Sequence, residues 1–236
     1  VGVPTGHADV DSLIHGFEPG DLIVVAGRPS MGKTLLVEQW SETIIKATGR
    51  PVAFFSLEMP TEQILRRSAA RNARIPLERL RSGQLEEQDW GPLSSAMAEL
   101  QKLDLYIDDT GGISFSDLRS RARQLHQQKL LSAIVVDYLQ IVQAGEMVSA
   151  DARSDQKVGQ VASGLKALAK ELSIPVIAVA QLNRAVDARS DKRPQMSDLR
   201  ESGQVEQDAD VISFVYREET YDPETPRKGI AELLVR

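Results

Sequence analysis

The run Gly27-Arg28-Pro29-Ser30-Met31-Gly32-Lys33-Thr34 leaves this chain few folds to choose from. Leu22-Ile23-Val24-Val25-Ala26 precedes it, apolar and β-branched as a buried strand requires. Leu35, Leu36, Val37, Trp40, Ile44 and Ile45 follow at helical spacing, on one face. Strand, glycine-bounded loop and helix together form the setting in which backbone N–H groups converge on phosphate oxygens. The helix dipole adds to that pull. Lys33 can neutralise β/γ-phosphate charge and the Thr34 hydroxyl can ligate Mg²⁺. Gly27, Arg28, Pro29, Ser30, Met31, Gly32, Lys33, Thr34 and Leu35 are therefore the expected nucleotide-contacting residues. The eight-residue pattern alone also arises by chance as a glycine turn before a helix, and the flanking strand and helix argue against that.

The pattern of strand followed by helix repeats along the chain. Strands are expected at 22–26, 51–56, 103–107, 132–137, 175–180, 210–216 and 229–235, with helices over 34–48, from Thr61, over 86–100, 116–131 and 158–172. Such alternation predicts an α/β fold with a mostly parallel central sheet and helices on both faces. Leu13, Ile14 and Phe17 form one short apolar helical face near the start, and Thr61 is expected to cap the helix it opens. Residues 183–200 read as a long polar loop. Neither a linker nor a repeat divides the chain, so one domain over 1–236 is expected.

Ligands in parallel sheets bind beyond the carboxyl ends of strands. Four polar residues fall there. Lys33 follows the first strand. Asp137 ends the apolar run Ala133-Ile134-Val135-Val136 and suits a carboxylate that holds Mg²⁺ through a water. Glu58, in Ser56-Leu57-Glu58-Met59, reads as a general base for water or as an ordinary loop acid. Gln181 reads as a γ-phosphate sensor or as a plain strand-end amide. Arg66, Arg67, Arg71 and Arg74 read as a solvated basic face in preference to a nucleic-acid surface. Arg119, Arg121 and Arg123 read the same way. His7, His15 and His126 lack metal-ligand spacing.

Composition sets limits. A net charge of −6 argues against a surface that coats nucleic acid, though not against a few local loops. The absence of cysteine excludes disulfides and thiolate metal sites and is compatible with a reducing cytosol. No run of about eighteen apolar residues suits a membrane span. The first residue is Val1, not Met, so the chain is expected to be a fragment, a processed form or the ordered part of something longer.

Several segments together resemble the ATPase domain of the DnaB-like replicative DNA helicase family, which has a RecA-type core. They are Ala26 through Thr34, Phe55-Ser56-Leu57-Glu58-Met59, Ile134 through Gln140, Leu165 through Leu172 and Ala180-Gln181-Leu182-Asn183-Arg184. The most specific is Ser197-Asp198-Leu199-Arg200-Glu201-Ser202-Gly203 with Glu206-Gln207-Asp208-Ala209-Asp210. The resemblance covers nearly the whole chain. It implies a hexameric ring around single-stranded DNA that hydrolyses ATP with Mg²⁺ to translocate, 5′ to 3′, and unwind duplex. It implies Lys33, Glu58 and Gln181 as catalytic residues, Thr34 and Asp137 at the metal, and Arg200, Glu201, Ser202 and Gly203 on the DNA backbone. Residues 143–153 and 183–197 become channel-facing or interface loops. A primase, a loader and a place at the replication fork in the cytoplasm follow for the full-length protein, with no membrane partner.

On this resemblance the family's N-terminal domain, linker helix and final strands are expected to lie outside these residues, and the arginine that reaches a neighbour's ATP site is expected beyond Arg236. Two rivals share the phosphate loop: a RecA- or RadA-type recombinase, and a nucleotide-driven switch or scaffold that unwinds nothing. A metabolite kinase is a weaker third.

Overall fold

The computed structural model describes residues 2–149 and 151–236, apart from the side chains of residues 200–202. Among the described residues, seven strands form a single sheet: β1 (Leu22–Gly27), β2 (Val52–Ser56), β3 (Leu105–Asp108), β4 (Ala133–Asp137), β5 (Val176–Gln181), β6 (Val211–Tyr216) and β7 (Glu232–Val235). Their order is β3-β2-β4-β5-β1-β6-β7. All neighbours run parallel except β6 and β7, which are antiparallel. The helices are α1 (Ala8–Ile14), α2 (Lys33–Thr48), α3 (Thr61–Ala73), α4 (Leu77–Ser82), α5 (Trp90–Gln101), α6 (Phe115–Lys129), α7 (Ser154–Leu172) and α8 (Gly203–Asp208). This is the mostly parallel, helix-covered α/β sheet that the alternation predicts.

Strand alternation divides the core into two layers. Leu22, Val24 and Ala26 face the layer built with Leu118 of α6 and Val161, Leu165 and Leu168 of α7. Ile23 and Val25 face the other, built with Val37, Trp40 and Ile44 of α2 and Ile64 of α3. Every residue of β1 is buried, which explains an unbroken apolar run where a half-exposed strand would alternate. Trp40 is fully buried, with the Phe17 ring edge-on at 5.0 Å. Truncating it to Ala is expected to cost about 3–5 kcal/mol. No helix among the described residues is long and apolar enough to cross a membrane.

Three local expectations differ from what is found. Phe17 lies beyond the end of α1 and is buried, whereas Leu13 on that helix is exposed, because the β-bridge between Val3 and Phe17 pulls the chain inward. Pro60, not Thr61, is the N-cap of α3. The Thr61 hydroxyl and N–H both donate instead to Asp109 Oδ2, at 2.9 and 2.8 Å. Residues 183–200 do not form a free polar loop: short 3₁₀ turns at Arg184–Ala188 and Met196–Ser202 bury Val186 and Leu199 in the core. Arg119 and Arg123 both grip Glu171 of α7, and Arg121 grips Asp108. This arginine face is solvent-exposed, as expected, and its ion pairs also link α6 to α7 and to β3.

Candidate active site

The register of the sheet assembles the site. Ser56 pairs with Asp137 across β2 and β4, and Gly27 pairs with Gln181 across β1 and β5. The ends of four parallel strands therefore open on one side. A cleft of about 650 Å³ lies there, lined among others by Pro29, Ser30, Gly32, Lys33, Thr34, Leu35, Glu58, Asp137 and Gln181. Glu58, Lys33, Asp137 and Gln181 thus meet, although they come from four separate segments.

The phosphate loop is curled by two residues of positive φ, Ser30 at 65° and Gly32 at 95°. Adjacent right- and left-handed residues aim successive N–H groups into one concavity. Serine is strained in that region whereas glycine is not. Gly27 has a different reason: a Cβ there would lie 2.9 Å from the Val215 carbonyl oxygen and 3.4 Å from the Lys33 stem. Not every residue of the loop faces the cleft with its side chain. Met31 is buried in the core and its sulfur accepts the Arg217 N–H at 3.3 Å. The Arg28 guanidinium turns away from the cleft, to Asp187 and the Leu182 carbonyl. Only the backbone of these two can contribute to a phosphate cradle.

Lys33 is nearly buried, and its ammonium donates to the Arg28 carbonyl at 2.9 Å. Burial brings its pKa down to about 8, against the opposing pull of the Asp137 and Glu58 carboxylates. The Thr34 hydroxyl donates to Asp137 Oδ2 at 2.6 Å. Asp137 is itself buried, which raises its pKa, while the Thr34 bond and Lys33 hold it down. One hydroxyl and one carboxylate at this spacing fit Mg²⁺, which keeps several waters and completes its shell with substrate phosphates. No group of three or more His, Cys, Asp or Glu side chains among the described residues makes a metal cage.

Glu58 is exposed at the lip of the cleft. The turn that carries it is fixed from three sides. The Ser56 hydroxyl donates to the Met59 carbonyl at 2.5 Å, the Leu57 N–H donates to the Asp137 carbonyl at 2.8 Å, and Thr61 holds Asp109. Gln181 is anchored by its own backbone: the Gln140 side chain accepts its N–H at 3.3 Å and donates to its carbonyl at 3.1 Å.

Three residues that sequence reasoning left without a role also belong to this region. Gln140, three positions after Asp137, clamps Gln181. Arg67 and Arg71 of α3 line the cleft. Arg71 pairs with Glu42, lies 4.0 Å from Glu38 and donates to the Leu35 carbonyl at 3.4 Å. The i,i+4 acids Glu38 and Glu42 on α2 were the available signal, opposite the i,i+4 arginines. The solvated basic face expected for Arg67 and Arg71 is corrected accordingly.

The expected DNA residues lie elsewhere. The side chains of Arg200, Glu201 and Ser202 are outside the described residues. Gly203 starts α8 and lines a second cleft of about 400 Å³ with Val148, Ser149, Asp155 and Gly159. A small cavity of about 60 Å³, lined by Gln140, Gln181, Asp198 and Leu199 among others, shares Gln181 with the first cleft and Asp155 with the second.

Comparison with known proteins agrees with this geometry. The family described as the DnaB-like helicase C terminal domain matches residues 2–236. The replicative DNA helicase DnaC of Bacillus subtilis (strain 168) is 46% identical over 234 residues, covering 99% of this chain and 51% of that protein. The chain thus spans about half the length of the relatives it matches. One solved ATPase domain superposes with a TM-score of 0.92 at 34% identity, over 100% of this chain and 83% of that one. A DnaB-like replicative helicase, solved in a study of its interactions with primase, gives 0.93 at 34%, over 100% of this chain and 56% of that one. The sheet, the phosphate loop and these matches agree: the chain belongs to the DnaB-like helicase C-terminal domain family.

Proposed function

We propose that this chain is the ATP-hydrolysing motor of a replicative DNA helicase. The observation that carries it is the meeting of Lys33, Thr34, Glu58, Asp137 and Gln181 at one edge of the sheet, in a chain of this family. The site supports roles for each. The loop N–H groups and Lys33 bind the triphosphate of ATP. Thr34 and, through water, Asp137 hold Mg²⁺, which when bound neutralises charge on the phosphate oxygens. Glu58 orients the attacking water and takes its proton. Gln181 reports the γ-phosphate to the segment that follows it.

The same reading makes residues 1–236 one RecA-like domain, six copies of which form a ring with ATP at the boundary between neighbours. Arg200, Glu201, Ser202 and Gly203 hold the backbone of single-stranded DNA, a contact that carries no sequence information. A few such contacts per subunit suit an acidic chain. Travel 5′ to 3′, contact with a primase and a loader, and work at the nucleoid in the cytoplasm belong to the full-length protein on this reading.

Strand displacement tests it. The full-length protein is expected to release the labelled strand of a forked duplex with ATP and Mg²⁺, and the Lys33→Ala variant to release none. Vigorous ATP turnover with no strand release in any fork geometry would favour a switch or recombinase.

A further inference from the structure

Arg28 sits inside the phosphate loop, yet its side chain points out of the nucleotide cleft. Its Nε donates to both carboxylate oxygens of Asp187, at 3.2 and 3.1 Å, and its Nη2 to Oδ2 at 2.7 Å. A further N–H donates to the Leu182 carbonyl at 3.0 Å. Asp187 belongs to the 3₁₀ turn Arg184–Ala188, and the contacts continue from there. Lys192 donates to the Asp187 carbonyl at 3.0 Å. Arg189 grips both oxygens of Asp198, at 2.7 and 2.9 Å. Asp198 in turn accepts the Gln195 N–H at 2.7 Å and so caps the turn Met196–Ser202. Val186 and Leu199 anchor these two turns in one core layer. The path from the phosphate loop to the segment holding Arg200 is thus unbroken and made of directional contacts.

We propose that Asp187 is a positioning residue that couples the phosphate loop, through Arg28, to the turn Met196–Ser202, as a second link beside Gln181. The inference rests on the reading of this chain as a DNA-stimulated ATPase. Its physical basis is the geometry of the loop. Lys33 donates to the Arg28 carbonyl, a neutral acceptor. Phosphate oxygens are far stronger acceptors for an ammonium, so nucleotide draws Lys33 off and frees the Arg28 peptide to move. A guanidinium bound through several N–H groups rotates little on its carboxylate, so motion of the loop is handed to Asp187 instead of being absorbed. Asp187 also accepts the Tyr221 hydroxyl at 2.9 Å, and the Arg28 hydrogen bond holds its carboxyl below the ordinary range. The link works in both directions, since coupling free energy is reciprocal: strand bound at the turn biases the phosphate loop.

The test uses full-length protein carrying Asp187→Asn or Asp187→Glu. Three readouts are taken: ATP turnover without DNA, the fold-stimulation by single-stranded DNA, and the shift in single-strand affinity caused by nucleotide. For Asp187→Asn, DNA-free turnover and the KM for ATP are expected to stay within about twofold of wild type. Most of the stimulation and most of the affinity shift are expected to be lost, and most of both regained in Asp187→Glu. Full stimulation in Asp187→Asn overturns the proposal. So does an equal loss of DNA-free and DNA-stimulated turnover, which marks a brace and not a coupling residue. Wild-type turnover that ignores DNA sinks the motor reading, and the coupling with it.

Discussion

The Thr34 hydroxyl donates to Asp137 Oδ2 at 2.6 Å, although the two residues are 103 positions apart. The contact ties the start of α2 to the end of β4 and fixes both oxygen donors expected at Mg²⁺. Thr34→Ala is therefore expected to lower ATP turnover at least a hundredfold and stability by about 1 kcal/mol. Thr34→Ser, which keeps the hydroxyl, should retain most of both. Turnover against Mg²⁺ concentration checks it: a Thr34→Ala protein with wild-type dependence would remove Thr34 from the metal site.

Glu58 is the expected base, and its turn is held by contacts that do not involve its carboxylate. Glu58→Gln should keep that geometry, bind a fluorescent ATP analogue as wild type does, and lose about 10²–10⁴-fold in turnover. Unchanged turnover would mean that another group handles the proton.

Lys33 predicts a pH effect on binding. Burial brings its pKa to about 8, and phosphate charge pulls it back up, so nucleotide binding takes up a proton. At pH 8 the uptake should approach about half a proton per site, and affinity should fall as pH rises further, by up to about tenfold per unit. Calorimetry in buffers of differing ionisation heat measures this directly. A binding heat that does not vary with buffer at pH 8 contradicts it.

Glu38 predicts a pH effect on stability. Its carboxylate is buried between α2 and α3, accepts the Ser68 hydroxyl at 3.2 Å and leaves Oε1 without a partner. Burial raises its pKa to about 7 despite Arg71 nearby. Between the unfolded value and about 7 the folded chain binds the extra proton, so stability falls as pH rises through that window and stays lower above it. Gln at this position has no proton to lose. Relative to wild type, Glu38→Gln should gain more stability at pH 8 than at pH 5, by at most about 3 kcal/mol. Thermal melts at the two pH values decide it, and an equal effect at both would place the ionisation elsewhere.

Much of this was legible in the sequence because it rests on short-range signals. The run Leu22–Ala26 and the spacing from Leu35 to Ile45 specify a strand and a helix on local grounds, and the glycine loop joins them. Glu58, Asp137 and Gln181 could be nominated because each ends or closely follows an apolar strand, and parallel sheets gather such ends. Long-range pairs left no such mark. Nothing local says that Arg28 abandons its own loop for Asp187, or that Arg119 and Arg123 converge on Glu171. Residues 183–200 read as a loop because single buried positions, Val186 and Leu199, make no periodicity. Thr61 has the side chain of a cap, but Asp109 competed for it from another element.

On the proposed reading, the cleft at Gly27–Thr34 hydrolyses ATP in response to DNA. ATP turnover of the full-length protein, measured with and without single-stranded DNA, tests it most directly. A several-fold rise is expected, similar for oligo-dT and for mixed sequence, and lost in Glu58→Gln. Turnover identical with and without DNA would contradict it.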